Sequence, residues 1–453
     1  MMTERESLGS RLGFLLLSAG CAIGLGNVWR FPFIVGQHGG AAFVVLYLFF
    51  LILLGYPLMV MEMAVGRASR KSLYGSMEMA AGYKKAWKII AAVLSCGCAI
   101  LMMYYTTVTG WLVAYMAKFL NGTFSGKTPA EVGSVFDGLT GSGWDCAGYM
   151  LAVVLLGSLV CGIGLRAGVE RISKVLMAGL FLLLVLLCVY AVCLPGASAG
   201  LKFYLLPQWN RLTLQAVPAA MAQAFFTLSV GIGSIAIFGS YVGKEHSLGK
   251  EALVVILLDT MVAILAGLVI FPVCASSGVA VQGGPGLIFV SLPNVFSQIP
   301  GGRWWGALFF LFLCFAAFTT VIGVFENLIA ILIDHCRWSR MRASVVVCLG
   351  LMALSLPCAL GFNVWNNIQP LGPGSTILDF EDYLVSDNLL PLGGVVLILF
   401  CCTRYGWGWD GFIREVNTGA GLKFPAKAHK VVLFVLPVLI LILFAINFVV
   451  RWF

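Results

Sequence analysis

The sequence predicts an all-α polytopic membrane protein, and three observations carry that prediction. Hydrophobic residues make up 60% of the 453-residue chain and charged residues 10%, with a mean hydropathy of +0.99. That balance excludes an ordinary water-soluble domain. Several apolar runs reach the roughly 20 residues a helix needs to cross the hydrocarbon core. Two of the runs are broken by glycines, at Gly20-Cys21-Ala22-Ile23-Gly24-Leu25-Gly26-Asn27 and at Ser229-Val230-Gly231-Ile232-Gly233. Backbone released from a helix inside lipid must find other partners. Glycine-broken helices in corresponding halves of a chain therefore point to a transporter's binding site.

Hydrophobic windows place eleven spans at 11–36, 41–66, 87–118, 147–165, 172–194, 214–241, 250–275, 303–334, 342–360, 388–404 and 431–450. The stretch from Gly283-Gly284-Pro285-Gly286 to Phe296 is apolar but broken, and reads as a re-entrant external cap. The acidic Asp379–Asp387 stretch reads as a loop. With the N-terminus inside, 21 of the 28 Lys and Arg residues fall in cytoplasmic segments, six fall outside, and Arg30 lies in a span. That bias sets the orientation and, with an odd number of spans, leaves the C-terminus outside. The matching positions of the two breaks make spans 1–5 (residues 1–195) and 6–10 (196–410) an inverted repeat, with 411–453 as a cytoplasmic loop and an appended eleventh span.

Composition also limits the partners. The formal net charge of +9 comes from basic residues in short loops between spans, so a lipid bilayer and not a nucleic acid is expected. The fourteen cysteines fit no C-x-x-C zinc pattern. Most sit in apolar spans, where Cys acts as a small hydrophobe. Cys146 alone is expected in an external loop, so no external disulfide is expected within the chain. Residues 1–9 are polar and the run after them is too long for an h-region, so no cleavable signal peptide is expected. His38, His246, His335 and His429 are scattered without nucleophile or metal partners, and the chain is not expected to be an enzyme. Nothing in the sequence sets an oligomeric state.

Ionisable groups inside a membrane are costly and mark function. Four stand out: Arg30, Glu62, Asp259 and Glu326. Asp259 has no basic residue near it in sequence, and a buried carboxylate needs a proton or a cation. Sodium, which prefers hard oxygen ligands, would satisfy it. Glu62 and Glu326 read as scaffold residues that bond to opened backbone of a neighbouring helix. Thr319 and Thr320 offer two hydroxyls in an apolar helix, either bonded back to the preceding turn or serving as ion ligands. Tyr104, Tyr105, Phe225 and Phe226 could be lids or simple packing.

The chain resembles the neurotransmitter:sodium symporter family, and within it the bacterial amino-acid transporters of the LeuT type. The resemblance is carried by Arg11-Leu12-Gly13-Phe14, the Gly20–Pro32 stretch, Gly39-Gly40-Ala41-Ala42-Phe43, Pro57 through Glu62 with Gly66-Arg67, Gln223 through Ser229, Gly239-Ser240-Tyr241-Val242 and Leu292-Pro293. It covers spans 1 through 10 in order. It implies a LeuT-like 5+5 fold with unwound spans 1 and 6, and inward sodium-coupled transport of an amino acid by alternating access. A first sodium site is implied at the Ala22 carbonyl, Asn27, Thr227, Asp259 and the substrate carboxylate. A second is implied at the carbonyls of Gly20, Ile23 and Ala316 with the hydroxyls of Thr319 and Thr320. The substrate would lie against Ala22, the Gly24-Leu25-Gly26 turn, Tyr105 and Thr227. Its side-chain pocket would be Cys21, Leu101, Phe226, Ser229, Ile232, Thr320 and Val324. No charged group is among them, which implies an apolar amino acid, and set against bulkier residues in relatives Ile232 and Val324 would leave room for a large aliphatic or aromatic side chain.

The resemblance also implies gates. Arg30 with Asp387 would close the outside above Tyr105 and Phe226, although Asp379, Glu381 and Asp382 are near Asp387 in sequence. Arg5 with Asp334, near Tyr241 and Ser240, would latch the cytoplasmic side, with Leu8 where relatives often carry Trp. Chloride-dependent members build a chloride site from residues matching Tyr47, Gln223, Thr227, an Asn and a Ser; here the last two are Asp259 and Ala263. A fixed negative charge there predicts chloride independence. A sodium-dependent amino-acid sensor of the same fold is the alternative reading. A bacterial inner membrane is the expected location.

Overall fold

The computed structural model describes residues 8–80, 82, 85–278 and 286–452. Among these residues the regular structure is helical, with no strand and one isolated backbone bridge between His246 and Ala420. Nine continuous helices in the described residues are long and apolar enough to cross a membrane. They are Ala41–Ser69, Lys85–Leu120, Gly143–Ile163, Leu165–Val192, Leu248–Ser276, Gly302–Cys336, Arg340–Leu360, Ile377–Cys402 and Ala426–Val449, here spans 2–5 and 7–11. Arg11–Ala22 and Gly26–Gln37, bent by 55° at the glycine break, make span 1. Span 6 is shorter: Ala216–Leu228, a non-helical turn, then Ala236–Gly239.

Prolines decide where several helices widen. Five π-turns, Gly26–Arg30, Leu51–Gly55, Leu287–Ser291, Tyr383–Leu389 and Val431–Val435, each end two residues before Pro32, Pro57, Pro293, Pro391 or Pro437. A proline ring has no N–H to donate and collides with the carbonyl four residues back. The helix accommodates it with one wider turn.

Spans 3 and 8 pack along their lengths, and so do spans 4 and 9. Both pairs join elements five apart, the spacing that an internal repeat of five spans gives. The broken spans 1 and 6 meet inside this frame: Gln223 Nε2 donates to the Gly26 carbonyl at 3.0 Å. The cap expected near Phe296 contains the helix Leu287–Gln298, while Gly283, Gly284 and Pro285 lie outside the described residues. Phe289 anchors it, stacked on Phe136 at 5.1 Å, with its carbonyl accepting from Tyr115 Oη at 2.8 Å. An aromatic pair of this kind adds about 0.5–1.5 kcal/mol beyond its area burial.

Two expectations are corrected. The acidic stretch from Asp379 to Asp387 is helical, because span 10 begins at Ile377. Thr376 and Asp379 form a capping box there, with Asp379 Oδ2 accepting from Thr376 N at 2.8 Å. Capping plus acidic side chains in a first turn favour helix despite the polar sequence. Cys146 is not in a loop either. It lies in the first turn of span 4, buried, with Sγ 3.3 Å from the Leu139 carbonyl.

Candidate functional site

The break in span 1 sits at Ile23, whose extended ψ of 101° ends the first half-helix. A turn at Gly24 and Leu25 then leads into the second half. Close approach explains Gly24: a Cβ there would lie 2.5 Å from Tyr105 Oη and 2.8 Å from Thr320 Oγ1. In span 6 the chain turns through Ser229, Gly231 and Gly233 at φ of 50°, 111° and 90°. Values such as the last two strongly favour glycine. Glu62 of span 2 holds this turn, its Oε2 accepting from Gly231 N at 2.7 Å and its Oε1 from Ile235 N at 2.8 Å. That is the scaffold contact expected of it. Glu326 differs, bonding to side chains instead of opened backbone: Arg340 at 2.7 and 3.0 Å and Tyr241 Oη at 2.8 Å.

Two groups of oxygens flank the break in span 1. In the first, Asn27, Thr227 and Asp259 are all buried. Asn27 Nδ2 donates to Asp259 Oδ1 at 2.9 Å and to its carbonyl at 3.0 Å, while Thr227 Oγ1 donates to Oδ2 at 2.9 Å. Asn27 Oδ1 in turn accepts from Gly24 N at 3.2 Å. One buried network thus joins spans 1, 6 and 7. In the second group, Thr320 Oγ1 lies 3.2 Å from the Ile23 carbonyl, 3.5 Å from that of Gly20 and 3.4 Å from that of Ala316. Thr319 Oγ1 donates to the Ala316 carbonyl at 2.9 Å. These five residues tie span 1 to span 8.

Between the two groups lies a cavity lined by Ala22, Gly24, Leu25, Gly26, Leu101, Tyr105, Phe226, Ser229, Thr320 and Leu390, with about 20 Å³ of free volume. Tyr105 Oη accepts from Leu25 N at 3.2 Å across it. Nine of these residues belong to the pocket expected from sequence. Leu390 does not; it follows the π-turn of span 10, and an apolar residue in an apolar helix carries no signal. Cys21, Thr227, Ile232 and Val324 lie outside this lining. Cys21 packs where a Cβ on Gly323 would fall, and Ile232 packs beside Gly97.

Above the cavity, the Arg30 guanidinium lies 4.3 Å from the centre of the Phe226 ring. It makes no ion pair with Asp387 among the described residues. Asp382 and Ser386 of the same helix face Tyr104, with Arg30 nearby. At the opposite end, polar contacts tie the elements together. Arg11 pairs with Glu251 at 2.9 Å, and Glu170 accepts from Gly9 N at 2.6 Å and from Lys174 at 2.6 Å. Asp334 accepts from Ser72 N at 2.7 Å, and Ser240 Oγ donates to the Ile237 carbonyl at 2.6 Å. Arg5, the expected partner of Asp334, lies outside the described residues.

A family model described as the sodium:neurotransmitter symporter family matches residues 5–132 and 128–452. The uncharacterized sodium-dependent transporter YhdH of Bacillus subtilis (strain 168) is 32% identical over 447 residues, 98% of either chain. The sodium-dependent serotonin transporter of Drosophila melanogaster is 32% identical over 430 residues, covering 83% of this chain and 68% of that protein. Among solved structures, MhsT in complex with L-phenylalanine matches with a TM-score of 0.86 at 34% identity, covering 97% of this chain and 99% of that one. With its helical architecture and the two broken spans, this chain belongs to the sodium:neurotransmitter symporter family, whose members are membrane transporters and not enzymes.

Proposed function

We propose that the chain is a sodium-coupled symporter that carries a zwitterionic amino acid with a large aliphatic or aromatic side chain inward by alternating access. The observation that carries this reading is the buried Asp259 carboxylate, held among the described residues by the neutral side-chain donors Asn27 and Thr227, beside a cavity framed by two unwound helices. A buried carboxylate so supported lacks positive charge. The oxygens around it suit a hard cation. Sodium would be held there by Asp259, Asn27, Thr227 and the Ala22 carbonyl, and a second ion by Gly20, Ile23, Ala316, Thr319 and Thr320. Sodium-dependent relatives and the phenylalanine-bound MhsT support this assignment.

The substrate carboxylate would face the first ion, the amides of the Gly24–Gly26 turn and Tyr105. Its ammonium would face freed carbonyls of spans 1 and 6. The start of the second half of span 1 favours the anionic end. Ion and substrate then stabilise each other's binding, and the coupling is reciprocal. The second ion would hold span 1 against span 8 and keep the Arg11 end closed until it leaves. Arg30, with Asp387 or Asp382, would close the other end. The basic-residue bias supports a cytoplasmic N-terminus and an external C-terminus in a bacterial plasma membrane. Chloride independence follows from Asp259, whose charge would repel the anion, with the buried Ala263 one turn later offering no hydroxyl.

The test is uptake of labelled tryptophan and leucine into proteoliposomes under an inward sodium gradient, for wild type and Asp259→Ala. Accumulation in the wild type that is lost in the variant supports the symporter. Sodium-dependent binding without accumulation would instead identify a sensor.

A further inference from the structure

The mechanism above leaves one buried acid unused. Glu381 lies in the first turns of span 10 and is 3% exposed, yet among the described residues neither carboxylate oxygen has a hydrogen-bond partner of ordinary geometry. The polar side chain that acts on it is the Cys358 thiol of span 9, a weak donor, which itself lies beside Thr107 of span 3 and near Cys146 of span 4. Span 3 also carries Tyr104, which faces Asp382 and Ser386. On its own helix, Asp379 is engaged with Thr376 and Asp382 accepts from Ser386 Oγ at 2.6 Å. Among the described residues, no lysine, arginine or histidine acts on Glu381.

An ionised carboxylate here would have given up its water for at most one weak thiol donor, whereas a carboxylic acid loses far less. The position is also mechanically placed. The π-turn Tyr383–Leu389 starts two residues later, carries Asp387 and delivers Leu390 to the cavity. Wide turns of this kind are common at functional bends. Movement of this end of span 10 away from spans 3 and 9 would bring Glu381 to water.

We propose that Glu381 is a proton-binding site that couples the packed position of the outer end of span 10 to the pH on the Arg30 side. A proton from solvent adds to one carboxylate oxygen as the helix packs, and returns to solvent as the carboxylate rehydrates when the helix moves. Its placement on the outside rests on the orientation given under the proposed function; its protonation does not.

Infrared spectroscopy of the purified full chain at neutral pH tests the protonation directly. The expected result is a protonated-carboxyl band in the wild type that loses intensity in Glu381→Gln, with Glu381→Met as a second variant should the first fail to fold. An unchanged band in a folded variant would overturn the proposal. In proteoliposomes, the dependence of sodium-driven uptake on external pH should flatten in Glu381→Gln while uptake at the acidic end is kept. A lost band with an unchanged pH profile would overturn the coupling to span 10. A lost band with no uptake by either protein would support the proton site and fault the transport reading instead.

Discussion

Replacing Glu62 by alanine should detach the unwound turn of span 6 from span 2. Glu62 is fully buried, and its two oxygens hold the N–H groups of Gly231 and Ile235 at 2.7 and 2.8 Å. A hydrogen bond to a charged group contributes about 1.5–3 kcal/mol, so losing two costs about 3–6 kcal/mol. Relief of a buried charge offsets part of that, which favours the lower end. At about 1.4 kcal/mol per decade, the binding-competent arrangement should fall by at least roughly 100-fold. Glu62→Gln keeps one acceptor and should lose about 1.5–3 kcal/mol, roughly 10- to 100-fold. The assay is sodium-dependent binding of a labelled amino acid to purified protein, with melting followed by size-exclusion chromatography after heating. An alanine variant that bound and melted like the wild type would refute the claim that Glu62 holds this turn.

Further predictions concern the turn and the ion sites. Gly231→Ala places a Cβ 2.5 Å from the Leu390 carbonyl at a φ of 111°, a strain of about 1–3 kcal/mol that should lower both the melting temperature and binding. Thr320→Val keeps the side-chain shape but removes the hydroxyl that reaches Ile23, Gly20 and Ala316. Its sodium requirement for binding should rise at least several-fold, as a sodium titration would read. Replacing external chloride by gluconate should leave the uptake rate unchanged, and a large loss would count against the role given to Asp259.

Much of this architecture was readable in the sequence because membranes punish irregular backbone. Glycines inside apolar runs located both broken spans, and the acid at 259 stood out for want of a nearby cation. The start of span 10 reads as a loop in sequence since acidic residues lower hydropathy, whereas the Thr376–Asp379 cap makes them good helix starters. The partner of Glu326 is not legible in sequence, because its ion pair with Arg340 closes across the turn between spans 8 and 9. Leu390 and the special standing of Glu381 among the acids of its stretch escape the sequence for opposite reasons. One is apolar among apolar residues, and the other became notable only when its burial without a partner was seen.

In the proposed mechanism, sodium and substrate bind as a coupled pair through Asp259. This coupling is tested most directly by measuring substrate affinity across a sodium titration, and sodium affinity with and without substrate, in wild type and Asp259→Ala. Each ligand should tighten the other by the same factor in the wild type, and that factor should collapse toward one in the variant. Substrate affinity independent of sodium, or full coupling retained without the carboxylate, would contradict it.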